Sequence, residues 1–96
     1  MIYEWLPAKA LANLRKHGVA FEEAATVFLD PLAVTYPDPD HSRVEEREIT
    51  IGHSSIHRFL FISHCQRGER TRIIGARKAT RRERKQYEEG IGEDHD

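Results

Sequence analysis

Residues 71–89, TRIIGARKATRRERKQYEE, open as an apolar run between arginines and end as a polar, basic helix. Thr80, followed three residues later by Glu83, has the capping-box spacing: the hydroxyl accepts from the N3 amide while the carboxylate reaches back to the N-cap amide. A strand therefore hands over to a helix near Ala79. Regular alternation along residues 70–77 sets Thr71, Ile73, Gly75 and Arg77 on one face and Arg72, Ile74 and Ala76 on the other. Between Arg67 and Tyr87 stand nine Lys or Arg against Glu69 and Glu83, an excess of seven positive charges. A polyanion is the partner such a density suits, and a solvated helix face is the alternative.

Upstream, Gln66-Arg67-Gly68-Glu69 reads as a hairpin turn in which Gly68 is free to take positive φ. Residues 58–65 are apolar on both faces through Phe59, Leu60, Phe61 and Ile62, as suits a central strand. Residues 47–53 alternate, with Arg47, Ile49, Ile51 and His53 on one side and Glu48, Thr50 and Gly52 on the other. Leu32 to Tyr36 is a short strand, and Pro37-Asp-Pro-Asp-His41 is a loop that cannot continue a sheet. Further back, Phe21, Ala24, Ala25, Phe28 and Leu29 follow the helical template until Asp30-Pro31 stops it.

The first helix runs from Pro7, an N1 proline, to Gly18, a C′ residue, with Ala8, Leu11, Ala12 and Leu14 as its apolar stripe. Lys9, Asn13, Lys16 and His17 stack on another face. Met1 to Glu4 reads as a short leading segment. The order is helix, helix, four strands joined by short turns, helix: an α+β fold with a four-stranded antiparallel sheet.

Ninety-six residues with 39% hydrophobic content make one domain, taken as residues 1–89, with 90–96 an acidic, disordered tail. The net charge of −1 is a cancellation: residues 20–50 hold eight acids against Arg43 and Arg47, and residues 88–96 hold five acids and no Lys or Arg. One cysteine permits no internal disulfide, and no signal-peptide pattern or membrane-length apolar run is present. A reducing cytoplasm is the simplest home. Cys65, at the end of an apolar run, reads as a small buried residue. His41, His53, His57, His64 and His95 show no HxxxH or paired Cys/His spacing, so neither metal nor cofactor is expected.

Taken in order, WLPAKALANLRKHGVAFEEAATVFLDP, EEREITIG and RTRIIGARKATRRERKQYEE resemble the BrnT family of bacterial type II toxins from Trp5 to Glu89. The K-x-x-x-N-x-x-K-H run, the F-E-E-A segment and the R-x-x-x-A-R-x-A-x-x-x-E-R-x-x-Y ending occur together. The resemblance implies a RelE-like ribonuclease fold, RNA cleavage that inhibits translation, and neutralisation by a BrnA antitoxin, with DNA bound only through the antitoxin complex. Three positions depart from the family pattern. Leu6 and Ala20 replace an Asp and a Ser at helix N-caps, each typically worth about 1 kcal/mol. Gly75 replaces a Ser in the last strand.

RNA cleavage without a metal needs a base for the 2′-hydroxyl, cations on the phosphorane oxygens and an acid for the 5′-oxygen. Arg72 and Arg77 suit the middle role, since a guanidinium fork binds phosphate through two N–H groups. On a regular strand they lie on opposite faces and meet one phosphate only where the strand bends or Arg77 is past its end. For acid or base the candidates are His17, Glu83 and Tyr87, the last two at i, i+4. Each has an alternative: His17 at a helix C-terminus, Glu83 as a cap, Tyr87 in packing. Lys9, Lys16, Arg70, Lys78, Arg81 and Arg84 are the RNA-binding candidates. A non-catalytic module binding nucleic acid or a protein through the same surface is the other function class.

Overall fold

The computed structural model describes residues 1–41 and 45–92. In chain order it contains β1 (Ile2–Glu4), α1 (Pro7–His17), α2 (Phe21–Thr26), a 3-10 turn (Val27–Leu29), β2 (Val34–Pro37) and a second 3-10 turn (Pro39–His41). β3 (Arg47–His53), β4 (Phe59–Arg67), β5 (Arg70–Lys78) and α3 (Arg81–Gly92) follow. The sheet has five strands in the order β1-β5-β4-β3-β2. β2 to β5 form the expected antiparallel meander, but β1 adds a parallel strand on the far side of β5, pairing Ile2 with Arg70 and Glu4 with Arg72. The expected four-stranded antiparallel sheet is thus corrected to a mixed, five-stranded one. Three residues are too few to show alternation, and their partner lies almost seventy positions away.

The hairpin at Gly68 forms as expected, with φ of 63°. Beyond it, β5 is not regular. Ser63 stands opposite Gly75 and His64 opposite Ile73, so Ile74 has no partner, while β3 and β4 pair without interruption past the same point. The extra residue belongs to β5 and is a β-bulge, which reverses the alternation. Ile73 and Ala76 both enter one core, with Val19, Phe21, Ala24, Val27, Leu60 and Ile62. Arg72 and Arg77, set opposite Cys65 and Phe61 on regular β4, consequently share the other face, against the expectation from simple alternation.

α1 and α2 cover the face holding Ile73 and Ala76, and α3 covers part of the face holding Arg77, where Ile49, Ile51, Phe59 and Tyr87 form a second core. The apolar stripe expected on α1 does not become core: Leu11 and Leu14 are about half exposed, at 50% and 47%. Ala10 and Asn13 turn to the sheet instead. The second helix stops at Thr26, whose hydroxyl donates to Glu23 O, and the chain tightens into the 3-10 turn that leaves Leu29 exposed. β2 begins two residues later than expected and runs through Pro37, while β3 has the expected bounds but is buried at both Thr50 and Gly52. Gly52 is required where it stands, since a Cβ there would lie 2.9 Å from Asp30 Oδ2. α3 runs through Gly92, and the last four residues of the acidic tail lie outside the described residues.

His64 is buried beneath the sheet, with Nε2 2.7 Å from Thr50 Oγ1, which is in turn 2.7 Å from Thr35 Oγ1. Its Nδ1 has no partner among the described residues, and its ring meets Phe28 edge-on at 4.9 Å. Burial lowers its pKa to about 4 from an ordinary 6.5. Below pH 6.5 the unfolded chain takes up a proton that the folded chain refuses until about pH 4, so stability falls through that window as pH drops. The loss is on the order of 3 kcal/mol at most, at 1.36 kcal/mol per pKa unit. Urea melts of the parent and of His64→Gln at pH 7 and pH 4.5 should show a fall in the parent that the variant largely lacks.

Candidate functional site

The capping box read from residues 80–83 forms. Glu83 N donates to Thr80 Oγ1 at 3.2 Å, and Thr80 N donates to Glu83 Oε1 at 2.8 Å. The same carboxylate receives Arg77 through two N–H groups, NH1 to Oε1 and NH2 to Oε2, both at 2.8 Å. Arg77 also lies over the Phe61 ring, 3.9 Å from its centroid, and donates to Lys78 O at 3.2 Å. Burial opposes the charge on Glu83, but the bonds from Arg77 and Thr80 outweigh it and hold the carboxyl below the usual range. Glu83 is therefore both cap and clamp. Oε2 carries Arg77 only, which leaves a lone pair for another donor.

A second clamp stands on β1. The parallel register brings Glu4 beside Arg72, whose Nε donates to Glu4 Oε2 at 2.8 Å and whose NH2 lies 2.7 Å from the same oxygen. Arg70 NH1 reaches Glu4 Oε1 at 3.4 Å. Arg72 holds the Glu4 carboxyl below its ordinary value. Neither site arginine spends all five of its N–H groups on its carboxylate. Each is fixed in place with donors to spare for a phosphate.

Strand register lays this face out in rows. Arg47, Cys65 and Arg72 form one; Tyr36, Ile49, Ser63 and Gly75 the next; Val34, Ile51, Phe61 and Arg77 the third. The Ser63–Gly75 pair is a low floor between Arg72 and Arg77, and a Cβ at Gly75 would meet nothing nearer than 3.8 Å. The two arginines thus flank a shallow trough, with Glu4 at one side, Glu83 at another and Tyr36 at the β2 end. Cys65, at 1% exposure, forms part of the base, and burial followed by the Glu45 charge raises its thiol pKa, as suits an inert packing residue.

The remaining candidates fall elsewhere. Arg84 lies over Phe59 at 4.5 Å, and Lys78 and Arg81 stand exposed at the junction of β5 and α3. Tyr87 is 6% exposed, packs against Phe59 and donates its hydroxyl to Asp30 Oδ2 at 3.2 Å. Lys9, Lys16 and His17 on α1 line a groove with Asn13 and the bulged Ile74 of β5, and Arg72 and Arg77 are not among its lining residues. Asp30 and His53 form a cluster that sequence reading missed: His53 N donates to Asp30 Oδ2 at 2.9 Å, with Nδ1 3.5 Å from the same oxygen. Glu4 and Tyr36 were missed as well. For Glu4 the signal lay in a lone acid before Trp5; for Tyr36 only the register of β2 reveals it.

Residues 5–83 match the family model described as ribonuclease toxin, BrnT, of type II toxin–antitoxin system. Among solved structures, the chain is similar to the 1.1 Å crystal structure of the Brucella abortus ribonuclease toxin BrnT, with a TM-score of 0.66 at 20% identity over 84% of this chain and all of that one. At that identity the likeness bears on the fold. No curated protein sequence matches.

Asn13 gives the clearest structural test at this edge. Its Nδ2 donates to Ala76 O at 2.8 Å and Val19 O at 3.0 Å, and its Oδ1 accepts from Ala76 N at 3.1 Å. The carboxamide takes the place of a strand where β1 has ended. Asn13→Asp sets an anion against two carbonyls, so it should destabilise at least as much as Asn13→Ala, by roughly 2–4 kcal/mol for the groups left unpaired. Equilibrium urea unfolding of both variants checks the order.

Proposed function

The chain belongs to the BrnT family of ribonuclease toxins of type II toxin–antitoxin systems, and from that premise we propose that it cuts RNA in the trough between Arg72 and Arg77. The observation that carries this reading is the bulge at Ile74, which sets both arginines on one face, each gripped by a carboxylate. A phosphodiester seated over Ser63 and Gly75 meets guanidinium N–H groups from both sides. Those donors are aimed before the charge develops, which is the condition for strong transition-state stabilisation.

Glu83 is the base. The free lone pair on Oε2 takes the 2′-hydroxyl proton, O2′ attacks phosphorus, and a 2′,3′-cyclic phosphate forms as the bond to O5′ breaks. Arg72 and Arg77 carry the phosphorane charge, so the step needs no metal. Arg70, Lys78, Arg81 and Arg84 extend the cationic surface on either side, and Lys9, Lys16 and His17 line a further stretch beyond the β5 edge. Cutting messenger RNA in the cytoplasm would stop translation. A BrnA-like antitoxin would neutralise the chain by covering the trough with acidic or aromatic groups, and would supply the DNA contacts of the complex.

The purified chain should cleave RNA in chelator, and Arg77→Ala should lower the single-turnover rate by about 10²- to 10³-fold, the usual cost of one lost donor to a developing oxyanion. RNA affinity should fall with salt by about 0.7 in log K per log unit for each phosphate engaged. Binding that persists in Arg77→Ala with parent-like cleavage would place the chemistry elsewhere, and binding without any cleavage by the parent would leave a non-catalytic module.

A further inference from the structure

Cleavage also needs a proton for the leaving O5′, and Glu4, like the acid or base candidates His17, Glu83 and Tyr87, is placed or charged unsuitably to give it. Glu4 and Glu83 are held ionised by their arginines. Tyr87 is buried with its hydroxyl on Asp30, and His17 sits in the α1 groove. Of the three tyrosines, Tyr3 donates to Met1 Sδ at 3.0 Å and Tyr87 to Asp30, whereas the Tyr36 hydroxyl has no hydrogen-bond partner among the described residues.

We propose that Tyr36 is the general acid of this site, giving its phenolic proton to O5′ as the P–O5′ bond breaks. The inference rests on the ribonuclease reading above and names a residue within the same trough. Tyr36 shares its row with Ile49, Ser63 and Gly75, so it stands at the β2 end of the floor on which the phosphodiester is seated. Adjacent strands lie about 4.8 Å apart, so a tyrosine two strands from Ser63 spans much of that gap with its own length. The ring is half-buried against the core under α3 and is thereby restrained. Its hydroxyl senses both Glu83 and Arg77, the base and the phosphate-binding cation, so all three belong to one electrostatic neighbourhood.

The protonation state agrees with this role. Burial first, and then the Glu83 charge, raise the phenol above its ordinary value, so it arrives protonated at neutral pH. The step balances: Glu83 gains the 2′ proton as the O2′–P bond forms, O5′ gains the phenolic proton as P–O5′ breaks, and the phenolate is reprotonated from water. Arg77, close to the phenol, favours the transient anion.

Tyr36→Phe retains the ring and removes only the hydroxyl. The test compares parent and variant on a short RNA containing a mapped cleavage site, and on the same RNA with sulfur in place of the bridging O5′. A thiolate leaves without a proton, so loss of a general acid is masked on that substrate. Tyr36→Phe should be about 10²- to 10⁴-fold slower than the parent on ordinary RNA and within about threefold of it on the sulfur substrate, with melting temperature retained. Equal rates on ordinary RNA, or the same loss on both substrates, would overturn the role. If the parent cuts neither RNA, or if Arg72→Ala and Arg77→Ala both cut at the parent rate, the ribonuclease reading of the trough itself falls.

Discussion

One unpaired residue, Ile74, reconciles two demands that a regular β5 could not meet together. Ile73 and Ala76 are both needed in the core beneath α1 and α2, at 1% and 3% exposure. Arg72 and Arg77 both lie on the opposite face. The members of each pair are an odd number of positions apart, and period-two alternation would send one member of each to the wrong side. A hydrophobic side chain would then be lost from the core, or a guanidinium buried in it without a partner, either of which costs several kcal/mol. The bulge removes the conflict for the loss of one ladder position. It also carries Ile74 away from the sheet face and toward the groove of Lys9, Lys16 and His17.

The two carboxylates that hold the site arginines differ in what else they do. Glu83 also caps α3, so loss of its side chain would loosen the helix start as well as Arg77. Glu4 has no capping role and comes from the parallel strand β1, whose neighbour Trp5 is anchored edge-on against Phe21 at 5.9 Å. Partly exposed pairs of this kind add little to stability. What they fix is geometry, since each guanidinium is held by one edge and its other N–H groups are restrained in direction. Arg81 and Arg82 stand in the first turn of α3, at the end of the helix dipole that repels cations. A stability-optimised helix would carry acids there, so these two cations work against the helix start, where Glu83 is the one acid of the first turn.

Local signals were legible where local chemistry decides the outcome. Gly18 and Gly68 take the positive φ their positions require, Thr80 and Glu83 cap as spaced, and β3 begins and ends at the expected residues. What escaped depends on distant partners. β1 is a strand only because β5 presents an open edge to it. The bulge exists only in the register between β4 and β5, and Tyr36 joins the trough only through β2 pairing with β3. On α1 the periodicity was right and its orientation wrong. Leucines at helical spacing normally mark the buried face, but here Asn13 wins that face with three hydrogen bonds to backbone groups.

The inversion of α1 has a physical rationale in the sheet edge. β1 pairs β5 only from Arg70 to Arg72, which would leave the later N–H and C=O groups of β5 exposed as a template for another strand. Asn13 closes the Ala76 position from the helix, supplying one donor and one acceptor as a neighbouring strand would. A leucine there could bury more apolar area but would leave Ala76 unpaired, a penalty of about 1–3 kcal/mol per group that offsets most of that gain. Protecting the edge from the helix side also leaves the opposite face untouched. The face holding Arg72 and Arg77 thus takes no part in closing the edge, and the strand that carries both arginines has its Ala76 groups paired within the chain.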